Sequence, residues 1–318
     1  ALQVLLFGVL SLTNLGGRRV NPVAEQLVMG TNSSQWSWLH AVEGNLFLGV
    51  VFVINALMFI PLGHLAGRLM TRLPKAQSYS LNVLGSLFGI GLFFVLSLAW
   101  TGPSVWLGFV ALGLAPFLVG HRRSVALSVA CLAAIVIALG FMGSRQEQVF
   151  YSPYQVISLR LPDHKVKETM SVNVNHCFFQ DVYDCRPEAI ARNADSANAA
   201  KYYNFPYKLR SNPGDVLVVG AGTGNDVAGA LRNGANTVTA VEIDPAILFL
   251  GKRLHPERVY QDPRTKPVVN DARSFLRQTD QRFDTVVYGL LDSHTNLGAM
   301  TNVRLDSFVY TLQGFEEA

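Results

Sequence analysis

Three glycines at alternate positions follow a run of aliphatic residues in the second half of the chain. Residues 215–226 read DVLVVGAGTGND, so Gly220, Gly222 and Gly224 form a GxGxG pattern directly after a predicted strand. Glycine lets the backbone turn tightly and approach a ligand, and the N-terminus of the next helix favours polar or anionic groups. A dinucleotide site requires GxGxxG, and its last glycine is replaced here by Asn225. The turn predicts contact with a nucleoside; a tight turn without a ligand is the alternative.

Acidic residues end the next two predicted strands. Glu242 lies 18 residues after Gly224, where a carboxylate can accept hydrogen bonds from both ribose hydroxyls. Asp271 follows the third strand, where it can accept from an adenine amino group. For Asp271, capping of the next helix is the competing interpretation. After the second strand, Asp244 is a better candidate for the helix cap than Glu242, because it directly precedes Pro245. Together with the glycine turn, these carboxylates predict an adenosine site of the S-adenosylmethionine type rather than an NAD or ATP site.

The elements that must position these residues alternate between strand and helix from residue 215 onward. The predicted strands are DVLVVG, TVTAVEID, KPVVND and FDTVVYGLLD, and the predicted helices are NDVAGALRNG, PAILFLGKRLH and ARSFLRQT. This alternation predicts a parallel, doubly wound sheet, which binds ligands at the carboxyl ends of its strands. Upstream, residues 150–182 are rich in β-forming residues and predict extended structure, whereas residues 183–214 are polar and rich in Pro and Asn.

The first part of the chain has the composition of a membrane protein. The chain is 50% hydrophobic and 15% charged, whereas soluble domains are about a quarter charged. Nearly uncharged runs at residues 45–67, 81–100, 104–120 and 125–143 have the length that crosses about 30 Å of hydrocarbon as a helix. Residues 1–12 resemble the end of a further span, so we expect a chain that continues upstream. We also expect the sheet to be incomplete at its C-terminus, because the sequence stops near the helix after the fourth strand.

The positive charges of this region predict its topology. They flank the predicted spans as Arg68, Arg72, Lys75, Arg122 and Arg123. The positive-inside rule places both groups in the cytoplasm, and strict alternation then places everything after residue 143 outside. A nucleoside-type donor is cytosolic, so either residues 104–120, which contain Pro116, fail to cross or the charge rule misleads. We give the chemistry more weight and expect a cytosolic domain on a bacterial inner membrane.

Charge and cysteine content exclude other classes of protein. Residues 1–143 contain seven basic and two acidic residues, and the remainder contains 19 basic and 20 acidic ones. The basic balance therefore reflects cations at membrane boundaries, and we expect no nucleic-acid partner. Cys131, Cys177 and Cys185 are scattered, which indicates neither a disulfide framework nor a zinc site. We expect no metal.

The second half of the chain resembles the spermidine/spermine synthases, the polyamine aminopropyltransferases. The resemblance covers roughly residues 150–312 and rests, in order, on SPYQVISL, KYYNFPY, VLVVGAGTGND, AVEIDP, DPRTKPVVNDARSFLR and FDTVVYGLLDSH. It is nearest to the bacterial branch in which membrane spans precede the domain. The resemblance implies a Rossmann-like, class I methyltransferase-type sheet after a small β-hairpin subdomain. It also implies decarboxylated S-adenosylmethionine as the donor of an aminopropyl group to an amine.

The resemblance also implies roles for single residues. Gln155 matches a glutamine that contacts the nucleoside side, Glu242 matches the ribose-binding acid, and Asp271 with Ala272 matches the adenine-contacting pair. Asp292 matches the second carboxylate of a DxxD motif on the polyamine side.

Three positions depart from the family pattern. The first aspartate of DxxD, which would take the proton, falls on Gly289, and the aspartate that meets the donor's amine falls on Thr223. The YHE motif reads Tyr202, Tyr203 and Asn204, which leaves Tyr203 as a candidate substrate contact. An attacking amine must be neutral, and a carboxylate normally takes its proton. Asp226, Asp292 and His294 are the candidates to compensate.

These observations predict a multi-span α-helical membrane region followed by an α/β domain. The predicted boundaries are residues 1–145 for the membrane region, 146–214 for the hairpin subdomain and linker, and 215–318 for the truncated adenosyl-binding domain. The predicted function is aminopropyl transfer to a small-molecule amine or polyamine, with a lipid bilayer as partner and a homodimer left open. An S-adenosylmethionine-dependent methyltransferase is one alternative. A membrane sensor or transporter that only binds a nucleoside or polyamine is another.

Overall fold

The structure is a computed structural model that describes residues 38–118, 130, 147–162, 169–175, 177–289 and 309–318. The chain divides into two compact units, Ala1–Ser144 and Arg145–Ala318.

The described part of the first unit is helical. It contains α1 (Trp38–Met70), α2 (Lys75–Leu98) and α3 (Pro103–Leu118). Segments Gly49–Met70 and Lys75–Leu98 are long and apolar enough to cross a membrane. Helix α3 has 16 residues and would span only about 24 Å. The predicted spans at residues 1–12 and 125–143 fall outside the described residues, apart from Ala130.

Proline residues lie at the start of α2 and α3 and in the interior of α1 and α3. Pro74 precedes α2 and Pro103 begins α3, positions where the missing N–H costs nothing. Pro61 lies inside α1 and Pro116 inside α3, which removes one helical hydrogen bond at each place. Large apolar side chains on α1 and α2 are exposed within this structure, among them Phe52 at 74% and Phe88 at 74%. Such surfaces are expected of helices that face lipid.

The second unit begins with a small antiparallel sheet. Its strands β1 (Glu147–Tyr151), β2 (Val156–Arg160), β3 (Met170–Val174) and β4 (Cys177–Val182) pair in sequence order. The predicted extended segment therefore folds into a four-stranded meander, which is more than a single hairpin. Apolar and polar side chains alternate along β2, where Ile157 and Leu159 flank Ser158 and all three are buried. The apolar side chains therefore share one face of the small sheet.

Three short helices follow where the sequence analysis expected a polar linker. They are α4 (Pro187–Arg192), α5 (Ala194–Tyr203) and α6 (Phe205–Leu209). Asn193 caps α5 by accepting from the Asp195 N–H at 2.8 Å, and Ala199 and Ala200 bury the inner face of the helix. The sequence has no clear helical pattern here, because the apolar face is narrow and built from small residues.

A parallel sheet forms the rest of the second unit, as predicted. Its strands β5 (Asp215–Val219), β6 (Thr237–Glu242), β7 (Thr265–Val269) and β8 (Thr285–Tyr288) lie in the order β7-β6-β5-β8. The chain moves outward from β5 to β7 and then returns to the other side of β5. The strand order therefore reverses between β5 and β8, which is where open α/β sheets bind ligands.

Helices α7 (Asn225–Arg232), α8 (Pro245–Leu254), α9 (Ala272–Gln278) and α10 (Leu312–Glu317) accompany this sheet. Alternate residues of β5 point to opposite faces: Val216 and Val218 pack with Val227 of α7, whereas Leu217 packs with Leu276 of α9. Both faces are thus covered, which explains the continuous aliphatic strands.

Candidate functional site

The turn after β5 has the backbone that its glycines predict. Gly220, Gly222 and Gly224 have φ values of +70°, +56° and +114°, a region that residues with a side chain rarely adopt. A Cβ on Gly224 would also lie 2.6 Å from Val259 Cγ2. The turn therefore requires glycine for both conformation and space, and it leads directly into the N-terminus of α7.

Glu242 ends β6 beside this turn and binds it. Its Oε2 accepts from the Gly222 N–H at 2.8 Å and its Oε1 accepts from the Asp244 N–H at 2.9 Å. The side chain is buried, and this burial raises the pKa of Glu242 to about 7, against the opposing effect of the backbone N–H donors. The carboxylate thus joins the ends of β5 and β6, and its contact with a ribose stays a prediction.

Asp271 and Ala272 lie at the neighbouring strand end. The Asn270 N–H donates to the Glu242 carbonyl at 3.1 Å, which joins the ends of β7 and β6. The exposed Asp271 caps α9 by accepting from the Ser274 N–H at 2.8 Å, and Ala272 begins that helix. The capping role is therefore present, and the adenine contact stays a prediction.

Gln155 reaches the end of β6 through Asp244 rather than through Glu242. The Gln155 Nε2 and the Ser152 Oγ donate to Asp244 Oδ2 at 2.9 and 2.7 Å. Asp244 is fully buried and caps α8 through the Ala246 N–H, as its position before Pro245 predicts. Burial raises the pKa of Asp244, and these hydrogen bonds oppose the shift. The small sheet is thereby attached next to Glu242.

Gln180 contacts the glycine turn, although the sequence did not predict it as part of the candidate site. It lies on β4, and its Oε1 accepts from both the Thr223 N–H at 3.1 Å and the Thr223 Oγ1 at 2.7 Å. The small sheet therefore contacts the glycine turn directly. The uncharged amide–hydroxyl pair occupies the place where the family resemblance expects an aspartate.

Asn225 fastens the small sheet and Tyr203 to α7. Its Nδ2 donates to the Asp181 carbonyl at 2.7 Å and to the Tyr203 hydroxyl at 3.0 Å, and its Oδ1 accepts from the Tyr183 N–H. Burial raises the pKa of Tyr203 to about 12, so its hydroxyl stays protonated. In the sequence, Asn225 is only a departure from the GxGxxG pattern. Its structural role could not be predicted, because it depends on contacts with residues that are distant in sequence.

Asp226 lies in the first turn of α7, opposite the end of β8. A Cβ on Gly289 would be 3.1 Å from Asp226 Oδ2 and 3.4 Å from the Gly220 carbonyl. The Tyr310 hydroxyl donates to the Gly289 carbonyl at 2.7 Å. Burial raises the pKa of Asp226 to about 6. The half-buried Asp226 carboxylate thus lies beside the position that a side chain on Gly289 would occupy, in the crevice between β5 and β8.

Two predicted residues cannot be placed, since Asp292 and His294 lie outside the described residues. A cavity of about 780 Å³ lies elsewhere in the second unit and is lined by residues such as Met170, Val182 and Arg186. None of the predicted site residues that the structure describes lines this cavity. The candidate nucleoside site is the set of strand ends around the glycine turn, which does not include this cavity.

Comparisons with known proteins bear on the second unit. Residues 201–307 match the family model described as the spermine/spermidine synthase domain. The chain is 30% identical over 86 residues to a polyamine aminopropyltransferase of Korarchaeum cryptofilum, which covers 26% of this chain and 27% of the relative. It is 33% identical over 81 residues to the Serratia proteamaculans polyamine aminopropyltransferase, covering 24% and 28%. The alignments thus span less than a third of these two relatives.

Two solved structures are similar to parts of the chain. One is a spermidine synthase from Thermotoga maritima, with a TM-score of 0.37, 16% identity, and coverage of 47% of this chain and 48% of that one. The other is a spermidine synthase in complex with the transition state analogue AdoDATO, with a TM-score of 0.41, 14% identity, and coverage of 54% and 52%.

Proposed function

Because the chain belongs to the spermidine synthase family through the domain matched at residues 201–307, we propose that it is a membrane-anchored transferase. It binds decarboxylated S-adenosylmethionine and transfers the aminopropyl group to a small-molecule amine. The observation that carries this proposal is the direct hydrogen bond between the glycine turn and the carboxylate of Glu242. That contact joins two strand ends into one polar surface beside the switch point of the sheet.

In this proposal the adenosine part of the donor lies across the ends of β6 and β7. Glu242 accepts from the ribose hydroxyls, and Asp271 with the adjacent Ala272 contacts the adenine. A carboxylate has about four acceptor positions, so Glu242 can bind hydroxyls while it keeps its bonds to Gly222 and Asp244. Gln155 contacts the nucleoside from the small sheet.

The aminopropyl part of the donor then lies over the glycine turn. Residues Gly220, Gly222, Thr223, Gly224 and Asp226 form this part of the proposed donor site. The chemistry is an attack by an amine on a carbon next to a sulfonium, so the protein must position two cations and keep one amine neutral. On the acceptor side, Asp292 orients the amine with His294, and Tyr203 borders the substrate.

Incubation of the detergent-solubilised full chain with decarboxylated S-adenosylmethionine and putrescine tests the proposal. The expected result is formation of methylthioadenosine together with an aminopropylated amine, in equal amounts. The same assay with longer polyamines and other primary amines tests whether the acceptor is an amine other than putrescine. No methylthioadenosine with any of them at saturating donor would contradict aminopropyl transfer.

A methyltransferase that uses S-adenosylmethionine is the second candidate, and Thr223 favours it. A carboxylate at this position would repel the carboxylate of the undecarboxylated donor, whereas the Thr223 hydroxyl, bonded to Gln180, carries no charge. Calorimetry with both donors separates the candidates. Tighter binding of S-adenosylmethionine supports the methyltransferase, and tighter binding of the decarboxylated donor supports aminopropyl transfer.

The membrane anchor is part of the proposal. The two long apolar helices at Gly49–Met70 and Lys75–Leu98 support it. In this proposal the adenosyl-binding domain lies on the cytosolic side of a bacterial inner membrane. The full chain should stay in the membrane pellet after alkaline carbonate extraction. A cysteine introduced in the second unit at the exposed Lys208 should resist an impermeant thiol reagent in intact cells. Labelling without lysis would place the domain outside.

A further inference from the structure

The crevice between β5 and β8 contains a carboxylate on the β5 side, whereas the family resemblance implies one on the β8 side. Asp226 is on α7, after β5, whereas the family resemblance places an acid on the other wall, at Gly289 after β8. The end of β8 is fixed against β5, because the Gly289 N–H donates to the Val219 carbonyl at 3.3 Å. A Cβ on Gly289 would lie 3.1 Å from Asp226 Oδ2. The Asp226 carboxylate therefore lies directly beside the position that a side chain at residue 289 would occupy.

Asp226 has the environment of a functional rather than a structural carboxylate. Among the residues that the structure describes, no cation faces it and no N–H or O–H donates to it, and burial is what raises its pKa. Its ionisable neighbours are the hydroxyl groups of Tyr203 on α5, Tyr207 on α6, and Tyr260 on the short 3-10 helix Val259–Gln261. Asp226 is half-buried, and a carboxylate that is partly removed from water without a partner costs stability. A protein retains such a group where a cation or a proton is to be bound.

We propose that Asp226 is the group that accepts the proton of the acceptor amine, in place of a carboxylate at position 289. This inference rests on the proposed aminopropyl transfer. It explains how the chain can carry glycine at position 289 and still supply a carboxylate at the switch point of the sheet. Asp226 is then a catalytic residue in contact with the reacting amine, and its role differs from that of the donor contacts at Glu242.

In the proposed step the acceptor enters as an ammonium ion, and the Asp226 carboxylate takes one proton from it and leaves a neutral amine. The nitrogen lone pair forms a bond to the aminopropyl carbon next to the sulfonium, and the carbon–sulfur bond breaks with its electron pair going to sulfur. The products are neutral methylthioadenosine and a positively charged secondary amine. Asp226 later releases its proton to solvent.

The experiment moves the carboxylate from one wall of the crevice to the other. Gly289 does not have a left-handed backbone and has space for a Cβ once Asp226 is shortened, so Asp226→Ala/Gly289→Asp is a feasible exchange. Turnover by the full chain is measured for wild type, Asp226→Asn, Asp226→Ala and the exchange variant. The affinity for methylthioadenosine is measured by calorimetry, and Asp262→Asn, a carboxylate paired with Arg264, serves as the matched control.

We expect Asp226→Asn and Asp226→Ala to lower kcat about 100-fold or more, the usual size of a general base contribution, with unchanged affinity for methylthioadenosine. The exchange variant should regain about tenfold of the loss in Asp226→Ala, and Asp262→Asn should behave as wild type. Wild-type kcat in Asp226→Asn would overturn the inference, and so would a loss confined to methylthioadenosine affinity.

A second measurement separates this inference from the proposed function. Binding of the amine is measured calorimetrically in the presence of methylthioadenosine, so it does not depend on turnover. We expect Asp226→Asn to weaken amine binding about tenfold, as loss of a charge partner does. If wild type shows no turnover, the proposed function is wrong, and this measurement still decides whether Asp226 binds the amine. Equal amine affinity in wild type and Asp226→Asn would overturn that role.

Discussion

The N–H of Gly222 donates to Oε2 of Glu242 over 2.8 Å, so the turn that ends β5 and the acid that ends β6 form one bonded unit. Neighbouring parallel strands bring their carboxyl ends together, and this contact fixes the side chain of Glu242 toward the turn rather than toward solvent. The same carboxylate accepts from Asp244, whose own side chain holds the small sheet through Gln155. The predicted donor site is thus continuous from the small sheet to the glycine turn.

Gly224→Ala should destabilise the protein more than Gly234→Ala. Both glycines have positive φ, but a Cβ on Gly224 would lie 2.6 Å from Val259, whereas nothing lies within 4 Å of one on Gly234. We expect a cost of about 1 kcal/mol at Gly234 from backbone conformation alone, and about 3 kcal/mol or more at Gly224 from added overpacking. Melting temperatures of the full chain in detergent measure both. Equal shifts would show that the turn can move away from Val259.

Thr223→Asp should change the preference between donors. The new carboxylate would attract the amine that both donors carry and repel the carboxylate that only S-adenosylmethionine carries. We expect the ratio of Kd values to shift about tenfold toward the decarboxylated donor, with Thr223→Asn as the uncharged control of similar size. The ratio is informative even when both affinities fall, because Thr223 is buried against Gln180. An unchanged ratio would place the donor's amine away from Thr223.

Asp226→Asn should stabilise the protein near neutral pH while it lowers activity. The pKa of Asp226 in the folded state is raised from 3.8 to about 6 by burial, so between these values the folded state binds more protons than the unfolded state. Stability therefore falls as pH rises from about 4 to 6, and the neutral variant lacks this decline. We expect a gain of about 1–3 kcal/mol at pH 7.5, in contrast to the usual cost of a buried substitution.

Melting temperatures of both proteins from pH 4 to pH 8 test this expectation. The groups that face Asp226 are the hydroxyls of Tyr203, Tyr207 and Tyr260, and burial raises the pKa of each, so they stay protonated in this range. Glu242, whose pKa is raised to about 7, contributes a similar decline in both proteins. Parallel pH profiles of wild type and variant would contradict a burial cost at Asp226.

Much of the parallel sheet could be predicted because its signals are local. Aliphatic runs, turn glycines and the proline after Asp244 lie within a few residues of the structure that they specify. The predicted segment TVTAVEID contains β6 (Thr237–Glu242), and PAILFLGKRLH contains α8 (Pro245–Leu254). Placing Glu242 beside the glycine turn followed from the geometry of parallel strands, without any knowledge of side-chain contacts.

The part of the site that was missed depends on contacts between distant segments. Gln180 binds Thr223 across 43 residues, and its strand gave no sign of which element its side chain would face. Asn225 looked like a defect in a glycine pattern, yet it fastens Tyr203 and β4 to α7. The position of Asp226 opposite Gly289 likewise required the register of β5 and β8, with Val219 paired to Tyr288.

Titration of the full chain with decarboxylated S-adenosylmethionine, for wild type, Glu242→Ala and Glu188→Ala, tests the adenosyl site most directly. Glu188 is an exposed acid on α4 and serves as the control. Loss of a charged acceptor for ribose hydroxyls costs about 1.5–3 kcal/mol, which raises Kd about 10- to 150-fold. We expect this loss for Glu242→Ala alone. Wild-type affinity in Glu242→Ala, or no binding by wild type, would contradict the proposed adenosyl site.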